Sequence, residues 1–311
     1  MPGKELTTLT IRSNRLKPQL EQARKEKPRK LVVNASLGFS GSDLEFLSEL
    51  TWIEYLEILI EKKVDWAPLM RLPNLRSLSL NLRSDIRLSE MPKLERFNGV
   101  WGKGLELDGC RSLRSVTLDD FDETSLIAIS KCRHLQHVGL TARGLTSFEG
   151  LNHPELLSLT VFGSRSSLSL AKLRGAPNLV EFEANRCRRL EDLEALTALQ
   201  SLFEIRLFDL KEPISAIAFV RDLPQLQGFR CVGTNIIDGD LTPLTNLKWI
   251  GIDYKRHYSI TEVELHEIVK RRGGAAIVLP ESYERRRADL LQRRRTVAKR
   301  GGFSLFETLD T

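Results

Sequence analysis

Pro73-Asn74-Leu75-Arg76-Ser77-Leu78-Ser79-Leu80 sets leucine, two residues, leucine, one residue, leucine behind a proline. With Leu75 as anchor, the apolar positions fall at 0, +3 and +5. The same spacing recurs at Leu113/Val116/Leu118, Leu135/Val138/Leu140, Leu156/Leu159/Val161, Leu202/Ile205/Leu207 and Leu247/Ile250/Ile252. Looser copies are Ile53/Leu56/Ile58, Leu94/Phe97/Gly99, Leu179/Phe182/Ala184 and Leu226/Phe229/Cys231. Anchors from 53 to 247 are 22, 19, 19, 22, 21, 23, 23, 24 and 21 residues apart. Leu6/Leu9/Ile11 fits the pattern, and Leu31 and Val33 fit a rung whose anchor slot holds Pro28, which makes about twelve rungs.

A second column keeps the same phase. The position three before the anchor holds Leu50, Leu72, Met91, Cys110, Cys132, His153, Ala176, Leu199, Leu223 and Leu244, apolar in all but His153. Pro73, Pro92, Pro154, Pro177 and Pro224 follow it directly, where proline turns the chain into a strand without breaking a ladder. Two columns in register over ten units identify a repeat.

The Leu-x-x-Leu-x-Leu core resembles the leucine-rich repeat, in which each unit adds one short strand to a horseshoe. The resemblance covers roughly residues 5–255. It implies a right-handed α/β solenoid with a parallel sheet on its concave face, terminal caps, and recognition of other proteins by a curved surface. The family's asparagine or cysteine, eight residues after the anchor, is matched only by Cys187; Ser164, Thr234 and others fill that slot elsewhere. One side-chain ladder therefore cannot hold the turns, and their backbone needs other partners.

The chain has 311 residues, 41% apolar and 28% charged, and solenoids reach such lengths by adding units. No apolar run approaches the roughly 20 residues of a membrane span. The start, Met1-Pro2-Gly3-Lys4-Glu5, lacks the apolar core of a signal peptide. Four scattered cysteines make no disulfide framework. The expectation is a cytoplasmic protein, closer to irregular bacterial leucine-rich-repeat proteins than to receptor ectodomains. The net charge of +6 is uneven: residues 1–30 hold 9 basic and 3 acidic side chains, 256–311 hold 12 and 8, and 31–255 hold 26 and 30. A mildly acidic solenoid does not suit nucleic acid along its length.

Three regions are expected: an N-terminal rung and helical cap (1–30), the solenoid (31–255), and a C-terminal cap with a basic tail (256–311). Pro18 opens a helix through Leu20 and Ala23. Ser42-Asp43-Leu44-Glu45 reads as a capping box before a helix carrying Leu44, Leu47 and Leu50, and Ser259-Ile260-Thr261-Glu262 as another. Helical backs are expected at 122–130 and 213–220, a short strand at Ala275 to Leu279, and an arginine-rich helix from Ser282 to Arg300.

Chemistry finds little purchase. Gly99 to Gly104 lacks the spacing and context of a phosphate loop and reads as a turn presenting Trp101. The run from Cys132 to His137 does not suit a metal, because Cys132 falls in the buried column while alternation sends His137 to the outer face. Cys110 and Cys132 stack in equivalent slots as buried thiols. Carboxylate pairs such as Glu181/Glu183 have no cleft between them. No catalytic residue, metal or cofactor is expected.

Alternation also identifies the face that could bind, since residues at +2, +4 and +6 point away from the leucines. The middle units place small polar residues there. The later ones place Phe162, Glu181, Glu183, Glu204, Arg206, Phe208, Arg230, Trp249 and Asp253. Aromatics among charges have the composition of an interface, so the reading is a scaffold that grips a protein partner, one version being an immunity-type protein that blocks a toxin or effector. Tyr55, Glu57 and Trp101 form a secondary patch. Arg285, Arg286, Arg287, Arg293, Arg294 and Arg295 support the alternative, an adaptor for nucleic acid or an anionic surface.

Overall fold

In a computed structural model of the protein, residues 7–279 are described. Thirteen strands form one parallel sheet in chain order. They are β1 (Thr8–Ile11), β2 (Lys30–Asn34), β3 (Tyr55–Leu59), β4 (Ser77–Arg83), β5 (Arg96–Val100), β6 (Ser115–Asp119), β7 (His137–Thr141) and β8 (Ser158–Phe162). A two-stranded parallel side ribbon of β9 (Ser167–Ser169) and β11 (Arg189–Glu191) flanks β10 (Glu181–Asn185). The main sheet continues through β12 (Glu204–Phe208), β13 (Gly228–Val232), β14 (Trp249–Asp253) and β15 (Ala275–Leu279). Every rung read from the sequence is a strand, and β15 is the added edge expected beyond the repeats.

The register is the repeat itself. Leu159, Phe182, Ile205, Phe229 and Ile250 occupy one line across five strands, and Val161, Ala184, Leu207, Cys231 and Ile252 the next. All ten are buried. The carbonyl at +1 is the hinge of each rung: Glu54 O accepts from the amides of Arg76 and Ser77 at 2.7 and 3.0 Å, and Val180 O from those of Phe203 and Glu204 at 2.8 and 3.1 Å.

The backs correct the three expected helices. The one carrying Leu44, Leu47 and Leu50 is a 3-10 turn at 45–49, and the one expected at 213–220 is a 3-10 turn at 218–222; 67–71, 193–198 and 242–246 are 3-10 turns as well. Between 122 and 130 only Ile127–Ile129 is helical, again as 3-10. The cause is periodicity. Leu44, Leu47, Leu50 and Ile53 recur every three residues, the 3-10 period at which side chains eclipse. Their amides bond to carbonyls three residues back, Leu47 to Leu44 and Leu50 to Leu47 at 2.9 Å, Ile53 to Leu50 at 3.0 Å. The capping box at Ser42 is not formed; Asp43 Oδ1 accepts from the Glu45 amide at 2.7 Å instead.

Hydroxyls and one amide replace the missing asparagine ladder. Ser164 Oγ donates to Leu145 O at 2.8 Å, and Thr234 Oγ1 accepts from the Leu210 amide at 2.9 Å. Asn81 spans both backbone groups of Ile60, at 2.9 and 3.0 Å. Cys187, the lone family-type residue, is buried, and burial pushes its thiol up to about 11.

Two α-helices accompany the sheet: α1 (Leu16–Glu26), which buries Leu20 and Ala23, and α2 (Glu262–Arg271), which buries Leu265 and Val269. The second capping box lies two residues later than expected: Thr261 Oγ1 accepts from the Glu264 amide, while the Glu264 carboxylate accepts from the Thr261 amide at 2.9 Å. Ser259 instead accepts from the Leu241 amide at 3.0 Å.

Candidate partner-binding face

The outward row of β10 and β12 is built by register. Glu181 lies opposite Glu204, and Glu183 opposite Arg206. Like charges opposite each other repel, and Arg206 resolves the conflict. Its guanidinium pairs with Glu204, with Glu183 at 3.7 Å and with Glu181 at 3.9 Å. Glu204 also meets Arg230 at 3.2 Å. Side-chain exposure is 12% for Glu204 and 16% for Glu183 but 44% for Glu181. Glu181 is thus the carboxylate least engaged and most open to solvent. Phe162, Asn185 and Phe208 form the next row, with Arg186 over the Phe162 ring at 5.4 Å.

Two residues assigned to exposed surfaces are buried. Asp253 is 1% exposed, and its Oδ2 accepts from the amide of Gly233, a residue with φ of 72° where β13 turns away. Trp101 is 6% exposed and lies against Phe121, ring centroids 5.1 Å apart. Both stand where the chain leaves its strand, and there alternation no longer decides the face. The rest of the secondary patch is engaged with its own neighbours: Tyr55 lies between Arg29 and Arg96, at 5.9 and 5.8 Å, and Glu57 meets Lys30 at 3.5 Å.

The structure adds a row that alternation does not identify. At +1, just before each strand, the side chain projects along the sheet's N-terminal edge. In the first half this column reads Arg29, Glu54, Arg76, Glu95, Arg114 and Gln136. For three rungs from the eighth it changes to Leu157, Val180 and Phe203, on neighbouring strands about 4.8 Å apart, before Gln227 and Lys248 make it polar again. Leu157 and Phe203 are each 39% exposed and Trp249 41%. Trp249 reaches back across β13 to Phe203, centroids 5.6 Å apart. Gly228 lies opposite Trp249 on the intervening strand and carries no side chain to obstruct it. Ile277, 63% exposed, continues the apolar surface beside Gly251.

Of the remaining chemistry, Cys132 is buried and His137 is exposed on its strand, so the two do not converge. His153, in the buried column, donates from Nε2 to Ile129 O at 3.1 Å and accepts at Nδ1 from the Asn152 amide, the bonding of a neutral ring. Burial holds its pKa below the usual imidazole value. Among the described residues no cluster of three or more His, Cys, Asp or Glu is placed to hold a metal ion, and no helix is long and apolar enough to cross a membrane. The arginines at 285–287 and 293–295 lie outside the described residues.

Solved structures supply the comparison for this geometry. An internalin (inlF) of Listeria monocytogenes matches over 79% of this chain and 73% of its own, at 18% identity and a TM-score of 0.57. This is a leucine-rich-repeat fold. A chain of the Drosophila Toll–Spatzle complex matches over 80% of this chain and 40% of its own length, at 14% identity and a TM-score of 0.56. No protein-family model matches the sequence, and no curated protein does.

Proposed function

We propose that this leucine-rich-repeat protein is a non-catalytic scaffold that binds a protein partner through the exposed sheet face of its C-terminal half. One observation carries the reading: on β8 to β14, exposed Leu157, Phe203 and Trp249 border a salt-bridged cluster centred on Arg206. Exposed aromatics beside arginine are typical interface anchors, and a contiguous apolar patch on a solvated sheet marks an interaction site. The contact set comprises Phe162, Glu181, Glu183, Glu204, Arg206, Phe208, Arg230 and Trp249. Residues 1–30 and 256–311 cap a solenoid of 31–255 in this reading, and the setting is the cytoplasm of a bacterium. A toxin or effector neutralised by capture is the concrete version.

A pull-down from the native cytoplasm tests it with wild type, Phe208→Ala/Trp249→Ala, and a truncation after Pro280 shown to remain folded. A protein lost with the double variant and kept by the truncation is the expected outcome. Capture that survives the double variant and disappears with the tail transfers the function to the arginines. Its affinity should then fall steeply with salt through counterion release.

A further inference from the structure

The apolar row at the N-terminal edge of the strands has a candidate occupant within the chain. Leu157, Val180 and Phe203 stand just before β8, β10 and β12, Trp249 opens β14, and exposed Ile277 lies mid-strand on β15. Chain leaves this last strand at Leu279, and 32 further residues follow in the sequence. They read Arg285-Arg286-Arg287, then Arg293-Arg294-Arg295, then Phe303-Ser304-Leu305-Phe306.

We propose that Phe303, Leu305 and Phe306 dock on the Leu157–Val180–Phe203–Trp249 row, with the arginines at 293–295 beside Glu181. Three arguments support this occupant. Reach is ample: five rungs separate β15 from β8, about 24 Å, and the 23 residues from 280 to 302 span up to about 80 Å extended. Charge is complementary. Residues 285–300 carry eight Lys/Arg and one Asp, residues 31–255 carry an excess of acid, and Glu181 is the open carboxylate of its cluster. Tethering supplies the last argument. A segment joined by a short linker meets its site at an effective concentration of about millimolar, so it occupies an apolar row that free partners must compete for. Partner binding at this face then requires displacement of the tail, which makes the segment an internal competitor.

Trp249 is the reporter, because Trp66 and Trp101 are buried and Trp52 is half-buried. The experiment is acrylamide quenching of tryptophan fluorescence in the purified full chain. Wild type is compared with Phe303→Ser/Phe306→Ser, with Arg293→Glu/Arg294→Glu/Arg295→Glu, and with each combined with Trp249→Phe. Both sets of tail substitutions are expected to cause loss of shielding, and Trp249→Phe to abolish the difference. Equal quenching in wild type and Phe303→Ser/Phe306→Ser overturns the proposal, as does a difference that persists without Trp249. Shielding that weakens on dilution also overturns it, by assigning the row to a second copy of the chain. No partner is present in this experiment, so its failure leaves the protein-capture reading to its own test.

Discussion

The two halves of the sheet are built from the same interior and edged in opposite ways. Up to the sixth rung, the +1 column alternates Arg29, Glu54, Arg76, Glu95 and Arg114. Arg29 binds Glu54 at 2.8 Å, and Arg76 reaches Glu54 at 3.6 Å and Glu95 at 2.5 Å. That edge satisfies itself. Past Gln136 the column becomes Leu157, Val180 and Phe203 before returning to polar Gln227 and Lys248, and the carbon of those three has no such charge partner among the described residues. Rungs with interchangeable cores therefore differ in what they ask of their surroundings. The place where the edge changes character distinguishes the two halves better than net charge does.

The largest effects should be equal in the two halves. Leu78→Ala and Ile205→Ala each remove a fully buried side chain and should each cost about 2–5 kcal/mol in urea unfolding. A large loss for one and a negligible loss for the other would break the picture of a shared interior. The outer faces should then separate. Arg206→Ala leaves the sheltered carboxylates of Glu183 and Glu204 without their principal counter-charge and should destabilise by about 1–2 kcal/mol, reduced from the cost of a fully buried pair by its partial exposure. Repeating the measurement on the Glu183→Gln/Glu204→Gln background should remove most of that penalty.

His153 sits behind the rung at which the edge changes, and it makes stability depend on pH. Its folded pKa is lowered by burial, so the unfolded chain binds the proton more readily. The stabilising contribution is complete above the unfolded value of about 6.5 and is lost as pH falls toward the folded one, with a slope below about 1.4 kcal/mol per pH unit. His153→Leu should flatten the fall of Tm between pH 7 and pH 5; an unchanged slope assigns the dependence to another group. The smallest effect belongs to the charged edge. Arg76→Ala should change stability by less than about 0.5 kcal/mol, since its exposed pairs are screened by solvent. A loss as large as that of Arg206→Ala would erase the distinction between the halves.

The sheet was legible because period two and the two phased columns act together, down to the edge strand at Ala275. The backs were not, because Leu44, Leu47 and Leu50 satisfy both an α-helical stripe and a 3-10 ladder at this length. Only the continuation to Ile53 in steps of three separates them. The face was legible within the strands, as Glu183 beside Arg206 illustrates. Parity stops where the strand stops. Asp253 turns to cap the Gly233 amide, Trp101 folds inward onto Phe121, and Phe203 emerges although an odd position would assign it to the interior. The signal for Phe203 was present in the +1 column, whose residues change from charged to apolar at Leu157.

The stack of rungs also has a mechanical consequence. The sheet's hydrogen bonds run from rung to rung, along the line joining its two ends, and among the described residues each main-sheet strand is bonded only to those of the preceding and following rungs. A pull on the two ends therefore loads a few bonds at a time and peels rungs singly, beginning at a terminus. Each release frees a repeat of 19 to 24 residues, or about 60–85 Å of extended chain. Under tension the protein should lengthen in a series of small, nearly equal steps.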